Sequence, residues 1–366
     1  MIRIFCPVLD NFKDAPGSQL FASNYFEEVA KMQLGEEVKV DYYYYHKKSM
    51  SPFCTFKINL LLLYKVLKNR YDCVYYTIDP VDISLLAIFS CLGLIRVPMY
   101  VWKYTVISRS KNLSFKGFLT NLYKRLVYNG FNKIFMLTDS HVADSINEGL
   151  VKAEKLQYLK WGEDLRFVDS LKKEKAPMFT FISTGKAYRD FKTLCEAFAM
   201  VKGAKLKIFS RRMWGFNKFQ YADYLDTIHD PNIEVVYTDN LKTEYNSILA
   251  YLFSEMHQAH CSVSICEEVP FGVGYTQILD SMACGCSILA TYNEASPINI
   301  GGAGIGLTAK AYDVEGVAKA MQRMVDDKEM YSSMSKKARM MIEKEYNCEI
   351  VAKEVLKRML GKVTGK

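Results

Sequence analysis

Carboxylate side chains are missing from one long stretch of this 366-residue chain, whose overall composition is ordinary for a globular protein. No aspartate or glutamate occurs between Ile83 and Thr138, although lysines and arginines recur throughout that stretch. The whole chain has a net charge of +8. A basic segment without acids favours an anionic partner such as a membrane surface. No recognised nucleic-acid motif accompanies the charge, so we do not expect a nucleic-acid partner.

The chain also lacks a hydrophobic run long enough to cross a bilayer. Its most apolar run, Ile83–Ile95, is interrupted by Ser84, Ser90 and Gly93 and falls short of the roughly 20 residues that a span requires. The run predicts a buried helix. The N-terminus leads directly into a predicted strand and has no signal-peptide pattern, so we expect a cytoplasmic protein.

Paired cysteines at zinc-binding spacing are likewise missing. Cys284 and Cys286 form a C-x-C, and no second pair follows at the spacing of a metal site. The ten cysteines therefore predict reduced, buried thiols in a reducing compartment and no metal. His257 and His260 lie three residues apart on a predicted helix; a metal site is one interpretation, and ordinary packing positions are the favoured one.

Short β-branched or aromatic runs alternate with amphipathic segments along the whole chain, which is typical of a parallel α/β architecture. The length favours two domains. We predict a first domain over residues 1–163, a polar linker over 161–175, a second domain over 176–345 and a final helix over 346–366. The helices predicted in the first domain include Ile58–Leu67, Ile83–Leu94 and Leu113–Tyr128.

The most informative segment runs from Glu267 to Thr291 and reads as a glycine-rich loop, a short helix, a turn and a strand. Gly272 and Gly274 precede the helix, where bare backbone and the helix dipole favour a phosphate group. Thr276 could cap this helix, and Asp280 lies one turn further on, where a carboxylate could bind ribose hydroxyls. The alternative is a plain turn that needs glycine for tight packing.

The sequence Leu279-Asp280-Ser281-Met282-Ala283-Cys284-Gly285 resembles the donor-site segment of family-4 retaining glycosyltransferases of the GT-B fold. The resemblance implies that Asp280 binds the ribose of a nucleotide sugar. It also implies that Tyr275, Thr276 and Gln277 offer backbone amides to the diphosphate. The family's first acid is replaced by Gly272; Glu267 and Glu268, upstream and out of that register, are the candidates to replace it.

A second segment, Phe181–Leu194, resembles the family's strand, glycine and paired cations that lead into a helix. Here Gly185 follows the strand, and Lys186 and Arg189 take the positions of the cations that grip the leaving diphosphate. Fixed cations stabilise the negative charge of that leaving group without a metal. The alternative for either residue is a solvated loop cation.

The resemblance covers residues 155–360 well and the first half only in layout. The family usually has a Gly-Gly loop after the first strand, whereas this chain has one glycine there, followed by Ser18 and Gln19. It often has a histidine after the strand that Val97–Val101 represents, whereas this chain has Lys103 nearby. We therefore predict acceptor-side contacts by Gly17, Ser18, Gln19 and Lys103. In such folds the last helix returns to the N-terminal domain.

The predicted helix within residues 113–128 is amphipathic and has two interpretations. Phe115, Phe118, Leu119, Leu122 and Leu126 share one face, and the lysines and arginine lie away from it. One interpretation is a helix that packs this apolar face into the core and exposes a basic face. The other is a helix that docks on an anionic membrane surface, where a lipid-linked acceptor would wait.

Together these patterns predict an α/β protein of the GT-B fold, with two doubly wound Rossmann-like domains facing a central cleft. The predicted activity is metal-independent, retaining glycosyl transfer from a nucleotide sugar, without a further cofactor, to a glycan or lipid-linked acceptor in surface polysaccharide biosynthesis. The predicted location is the cytoplasm, peripherally on the inner face of the membrane. Two alternatives are a nucleotide-sugar epimerase on the same fold and a non-catalytic subunit that binds nucleotide sugars.

Overall fold

The protein is described from a computed structural model that covers residues 1–49, 51–77, 80–185, 187–214, 217–218, 221–241, 243–269 and 271–363. The chain divides into two compact units. Unit 1 contains residues 1–162 and 348–366, and unit 2 contains residues 163–347.

Unit 1 is built on a sheet of six parallel strands in the order β2-β1-β3-β4-β5-β6. Its strands are β1 Ile2–Leu9, β2 Val38–Tyr45, β3 Cys73–Tyr76, β4 Met99–Lys103, β5 Lys133–Met136 and β6 Leu156–Tyr158. The central strand β3 is buried along its whole length, as is typical of a parallel sheet that is covered by helices on both sides. The strand order reverses between β1 and β3, where loops leaving the sheet diverge.

Five helices of unit 1 connect these strands, and several single turns of 3-10 or π helix accompany them. The helices are α1 Phe26–Val29, α2 Pro52–Lys68, α3 Ser84–Cys91, α4 Phe115–Asn129 and α5 Asp139–Asn147. The inner sides of α2, α3 and α4 contribute to one hydrophobic core with the sheet. The helix predicted at Ile58 begins earlier because Ser51 accepts a hydrogen bond from the Cys54 N–H, and Pro52 opens the first turn.

Unit 2 repeats the architecture with six parallel strands in the order β11-β8-β7-β12-β13-β14. These strands are β7 Phe179–Thr184, β8 Ala204–Ser210, β11 Ile233–Tyr237, β12 Cys261–Ser264, β13 Ser287–Thr291 and β14 Gly306–Ala309; β9 Met213–Trp214 and β10 Asn217–Lys218 form a separate hairpin. Numbered within the unit, the order is 3-2-1-4-5-6, which is the order of dinucleotide-binding folds. It reverses between β7 and β12.

The helices of unit 2 are α6 Leu165–Ser170, α7 Phe191–Phe198, α8 Ala222–Asp226, α9 Tyr245–Gln258, α10 Tyr275–Ala283, α11 Val314–Asp326 and α12 Lys328–Glu345. Helix α11 illustrates how the sequence forms a helix of this unit. Asp313 caps its start by accepting a hydrogen bond from the Gly316 N–H. Val317, Met321 and Met324, at helical spacing, are buried against the sheet.

The segment expected to be a polar linker, 161–175, is instead structured in most of its length. Glu163 and Asp164 are buried, and Asp164 caps α6 by accepting a hydrogen bond from the Phe167 N–H. The Lys175 ammonium donates to the Ala259 carbonyl oxygen. The polar composition suggested a linker, but the polar groups of these residues form hydrogen bonds within unit 2.

The last helix, α13 Cys348–Val363, belongs to unit 1. It packs against α1, and the Tyr100 hydroxyl donates to the Met359 carbonyl oxygen over 3.1 Å. Within the ranges that the structure covers, we find no helix with both the length and the apolar character needed to span a bilayer.

Candidate functional site

The predicted donor segments meet at the switch point of the unit 2 sheet. The loop after β7 runs antiparallel to the loop after β12, with a bridge between Arg189 and Cys266. The Asp190 N–H donates to the Ile265 carbonyl oxygen over 3.0 Å, and the Glu267 N–H donates to the Tyr188 carbonyl oxygen over 2.9 Å. Two segments about 80 residues apart in sequence therefore share one edge of the sheet, where ligands bind in open α/β folds.

Arg189 fixes this junction from inside. Its side chain is buried, with the residue only 5% exposed. The guanidinium donates to the carbonyl oxygens of Thr184 and Ala187, to the Cys266 sulfur, and to the Gln277 Oε1 over 3.1 Å. Within the described part of the chain, these bonds use four of the five N–H groups of a guanidinium. Arg189 is therefore a held cation beside the start of α10, rather than a solvated loop residue.

Gly185 is required by this arrangement. Its φ of +113° suits glycine, and a Cβ there would lie 2.6 Å from the Arg189 Nη2. The backbone thus passes directly against the guanidinium. Lys186, the other predicted cation, lies outside the described residues.

The start of α10 also depends on glycine. Gly274 precedes the helix with a φ of +75°, and a Cβ there would lie 2.5 Å from the Ser264 Oγ. The glycine at 272 has a packing role, because its Cβ would meet the Ala295 carbonyl oxygen at 2.9 Å. The backbone conformation and the close contacts therefore account for both glycines.

The first turn of α10 presents three different environments. Thr276 is exposed, Tyr275 is buried, and Gln277 is buried with its amide donating to the Ser262 hydroxyl and the Val263 carbonyl oxygen. Gln277 therefore connects the sheet to the Arg189 guanidinium. The prediction was that the backbone amides of these three residues bind the diphosphate. In any α-helix the first N–H groups point toward the helix start, whatever the side chains contact.

Asp280 lies partly buried on α10 and is hydrogen-bonded to Glu163. Burial and the charge of Glu163 raise the pKa of the Asp280 carboxyl well above its usual range. The Tyr245 hydroxyl is close to this pair: burial, and then the charge of Asp280, raise its pKa to about 12. A carboxyl with a raised pKa keeps its proton to higher pH, and in that form Asp280 donates as well as accepts a hydrogen bond.

The two acids proposed to replace the missing family glutamate differ in environment. Glu267 is partly buried and accepts a hydrogen bond from the Tyr221 hydroxyl over 3.0 Å. Glu268 is exposed, and its N–H donates to the Tyr312 hydroxyl. Glu267 is thus held in place, whereas the Glu268 side chain extends from the same edge into solvent.

The acceptor-side candidates lie in two segments of unit 1, residues 17–19 and the end of β4. Gly17 and Ser18 lie in a buried 3-10 turn after β1, and the Trp161 indole N–H donates to the Ser18 carbonyl oxygen over 2.9 Å. Gln19 is partly buried in that turn, and Lys103 is partly buried at the end of β4. Lys103 ends β4 and the other three lie in the connection after β1, and the predicted contacts of all four with an acceptor stay predictions.

Sequence reasoning missed two features of the site. Nothing in the local pattern marks Glu163 as the partner of Asp280, because the two residues are brought together only by the fold. Tyr188 has a φ of +57°, which is uncommon for a non-glycine residue, and its ring packs edge-to-face on Phe271. The sequence motif around Lys186 and Arg189 did not predict the positive φ of Tyr188.

The histidine pair proposed as one alternative metal site has packing roles. The His257 Nε2 lies 3.0 Å from the Val168 carbonyl oxygen. The His260 Nδ1 accepts a hydrogen bond from the Thr180 N–H, and its ring stacks on Phe179. Burial lowers the pKa of both imidazoles.

No protein-family profile matches this chain, and no curated protein sequence matches it. Its fold is similar to that of a glycosyltransferase from Rickettsia africae, with 11% identity, coverage of 100% of this chain and 99% of that chain, and a TM-score of 0.72. It is also similar to Anabaena HepE, solved with UDP and glucose, with 12% identity, coverage of 99% and 100%, and a TM-score of 0.62. A proposed UDP-N-acetylglucosamine 2-epimerase from Listeria monocytogenes is 11% identical, with coverage of 99% and 97% and a TM-score of 0.61.

These similarities and the two six-stranded parallel sheets show that the chain has the GT-B fold with two Rossmann-like domains, as predicted. The neighbours include glycosyltransferases and an enzyme described as an epimerase.

Proposed function

We propose that this protein is a glycosyltransferase that takes a sugar from a nucleoside diphosphate sugar bound by unit 2. The observation that supports it best is the pairing of the Tyr188–Asp190 and Ile265–Glu267 segments. This pairing sets the buried Arg189 guanidinium beside the first turn of α10. A fixed cation and a helix start at one sheet edge suit a diphosphate.

In the proposed reaction the bond between the anomeric carbon and the phosphate oxygen breaks, and the acceptor hydroxyl oxygen forms the new glycosidic bond while its proton passes to the departing diphosphate. Negative charge grows on the departing diphosphate as that bond lengthens. Arg189 and Lys186 would stabilise the charge together with the amides of Tyr275, Thr276 and Gln277. Retention of configuration and independence of metal are carried over from the family resemblance. A glycan or lipid-linked acceptor in surface polysaccharide synthesis is the proposed acceptor class.

Uridine diphosphate is the nucleotide to test first, because HepE was solved with it. Asp280, which is hydrogen-bonded to Glu163, would bind the ribose hydroxyls. Glu268, exposed at the same edge, is the candidate for contact with the sugar. Gly17, Ser18, Gln19 and Lys103 are proposed to contact the acceptor.

The donor site is tested by calorimetric titration of UDP, GDP and dTDP into the protein and its Arg189→Lys variant. Lysine keeps the charge and loses the planar fork, so we expect nucleotide binding to weaken by about 1.5–3 kcal/mol, the range for hydrogen bonds to charged groups. Arg212→Lys is the matched control, since Arg212 pairs with Asp226 in the same unit. Unchanged affinity for every nucleotide in the Arg189 variant would contradict the site.

The neighbour described as an epimerase makes epimerisation the second candidate function. Incubation of UDP-N-acetylglucosamine without acceptor separates the two, because an epimerase inverts a sugar carbon and a transferase slowly hydrolyses its donor. Nuclear magnetic resonance of the sugar protons distinguishes the products. Tight UDP binding with neither product would instead indicate a non-catalytic nucleotide-sugar-binding subunit.

A location on the cytoplasmic side of a membrane is proposed as well. The support is the basic, acid-free segment that includes α4. The donor site does not depend on this location.

A further inference from the structure

Helix α2 is apolar on two opposite sides. Its inner side buries a set that includes Ile58, Leu62 and Val66. Its outer side exposes large apolar residues at helical spacing: Phe53 (67% exposed), Phe56, Leu60, Tyr64 and Leu67 (64% exposed). A helix that is hydrophobic all round is normally covered on both sides.

Helix α4 also exposes large apolar residues on its outer side. The apolar face that could have packed into the core is exposed, so the core-packed interpretation of this helix is wrong. Its members are Phe115 (75% exposed), Phe118 (61% exposed), Leu119 and Leu122. The helix instead faces the protein through Gly117, Val127 and Tyr128. The reason is tight packing: a Cβ on Gly130 would lie 1.9 Å from the Ala87 carbonyl oxygen of α3.

The two helices flank α3 on one side of the unit 1 sheet, since α3 packs against both. We call the outward sides of α2 and α4 the outer face. Leu92 and Leu94, after α3, are exposed beside it. Exposed apolar surface that spans several neighbouring elements marks an interaction site.

The charge of the outer face has one sign. No aspartate or glutamate occurs between Asp41 and Asp72 or between Asp82 and Asp139, so neither helix carries a carboxylate. Its cations border the apolar residues: the Lys57 and Lys68 ammonium groups lie over the rings of Phe53 and Tyr64, at 4.4 and 5.6 Å from the ring centroids. Lys116 and Arg125 are exposed on α4. Aromatic residues rimmed by cations without acids suit the interface of an anionic bilayer.

We propose that the outer face docks on an anionic lipid bilayer through both helices, so that α2 is half of the docking surface. The inference extends the membrane location proposed above and is independent of nucleotide binding. A second copy of the chain is a poorer occupant, because a symmetric contact would set these cations against each other.

The test is co-sedimentation of the full chain with neutral phosphatidylcholine vesicles and with vesicles that also contain phosphatidylglycerol. We expect binding to the anionic vesicles only, weakened at least tenfold at high salt. The variants are Tyr64→Ser with Leu67→Ser on α2, Phe115→Ser with Phe118→Ser on α4, and Lys116→Gln with Arg125→Gln. Each should reduce binding about tenfold or more. Matched controls in unit 2 are Met200→Ser with Met340→Ser and Lys319→Gln with Lys336→Gln, which should bind as the parent does.

Full binding by the α2 variant, or equal binding to neutral vesicles, would overturn the proposal. A parent protein that forms dimers without lipid, and loses them in the α2 and α4 variants, would assign the face to a second copy instead. Thermal unfolding checks that each variant is folded. UDP titration of the same variants keeps this result separate from the donor site, whose failure would leave vesicle binding unchanged.

Discussion

Helices α4 and α11 belong to units with the same six-stranded parallel architecture, yet α4 exposes its apolar face and α11 buries its own. Helix α11 buries Val317, Met321 and Met324 and exposes charges of both signs. Helix α4 buries little of its apolar face and exposes most of it. Two units with one architecture therefore differ in their outer surface, and the difference locates the interaction surface in unit 1.

The sheet edges differ as well. In unit 2 the loops after β7 and β12 are joined by backbone hydrogen bonds and by Arg189. In unit 1 the turn after β1 is a buried 3-10 segment that contains Ser18. The contrast supports a donor site in unit 2, because an anion needs fixed donors that are already oriented.

The largest expected effect is a difference in stability between side-chain truncations on α11 and on α4. Met321→Ala removes a fully buried side chain from α11 and should lower the free energy of unfolding by about 2–5 kcal/mol. Phe118→Ala on α4 should change it by no more than about 0.5 kcal/mol, since the ring is mostly exposed. Urea denaturation of both variants measures the difference. Similar losses for the two variants would mean that the ring of Phe118 is covered by the protein itself.

The next contrast concerns two left-handed glycines. Gly274→Ala should cost about 1–2 kcal/mol for the backbone conformation, and more because the new Cβ meets Ser264. Gly35→Ala in unit 1 is the control: its φ is +70°, and no heavy atom lies within 4 Å of the added Cβ. Thermal unfolding should show the greater loss for Gly274, and UDP affinity should fall only there. Equal losses of stability would contradict a close contact between residue 274 and Ser264.

The smallest effect concerns the pH dependence of stability. Because the pKa of Asp280 is raised in the folded protein, the folded state binds more protons than the unfolded state between the usual carboxyl pKa and the raised one. Stability therefore falls as pH rises through that window. Glu163→Gln removes the repulsion and should stabilise the protein at pH 7 by on the order of 1 kcal/mol, the size of one net hydrogen bond.

Asp169→Asn is the control with the opposite sign. Partial burial opposes the shift, but hydrogen bonds from Arg339 and Lys173 outweigh it and lower the pKa of Asp169. This change should therefore destabilise the protein at neutral pH, and the difference should fade as pH drops. Urea denaturation from about pH 2 to pH 8 checks both. A Glu163→Gln variant that is less stable than the parent at pH 7 would show that the acid pair is favourable as it stands.

Local signals predicted much of unit 2. The spacing of apolar residues after the capping Asp313 predicts a helix over Val314–Asp326, and these are the observed bounds of α11. The meeting of the Arg189 loop with the start of α10 followed from the motif resemblance, and the structure places them in contact. The strand β14 was missed, since Gly306–Ala309 is short and follows a glycine-rich segment.

Sequence patterns by themselves determined three features. The spacing of apolar residues gave the apolar stripe of α4, the alternation of strand and helix patterns indicated parallel sheets, and the glycines indicated a turn before α10. Only the tertiary structure decided which way that stripe points, that α2 has a second one exposed, and that Glu163 meets Asp280. The physical reason is that spacing along a chain records which side chains share a face. What covers a face, and which distant carboxyl lies against another, depends on packing between segments far apart in sequence.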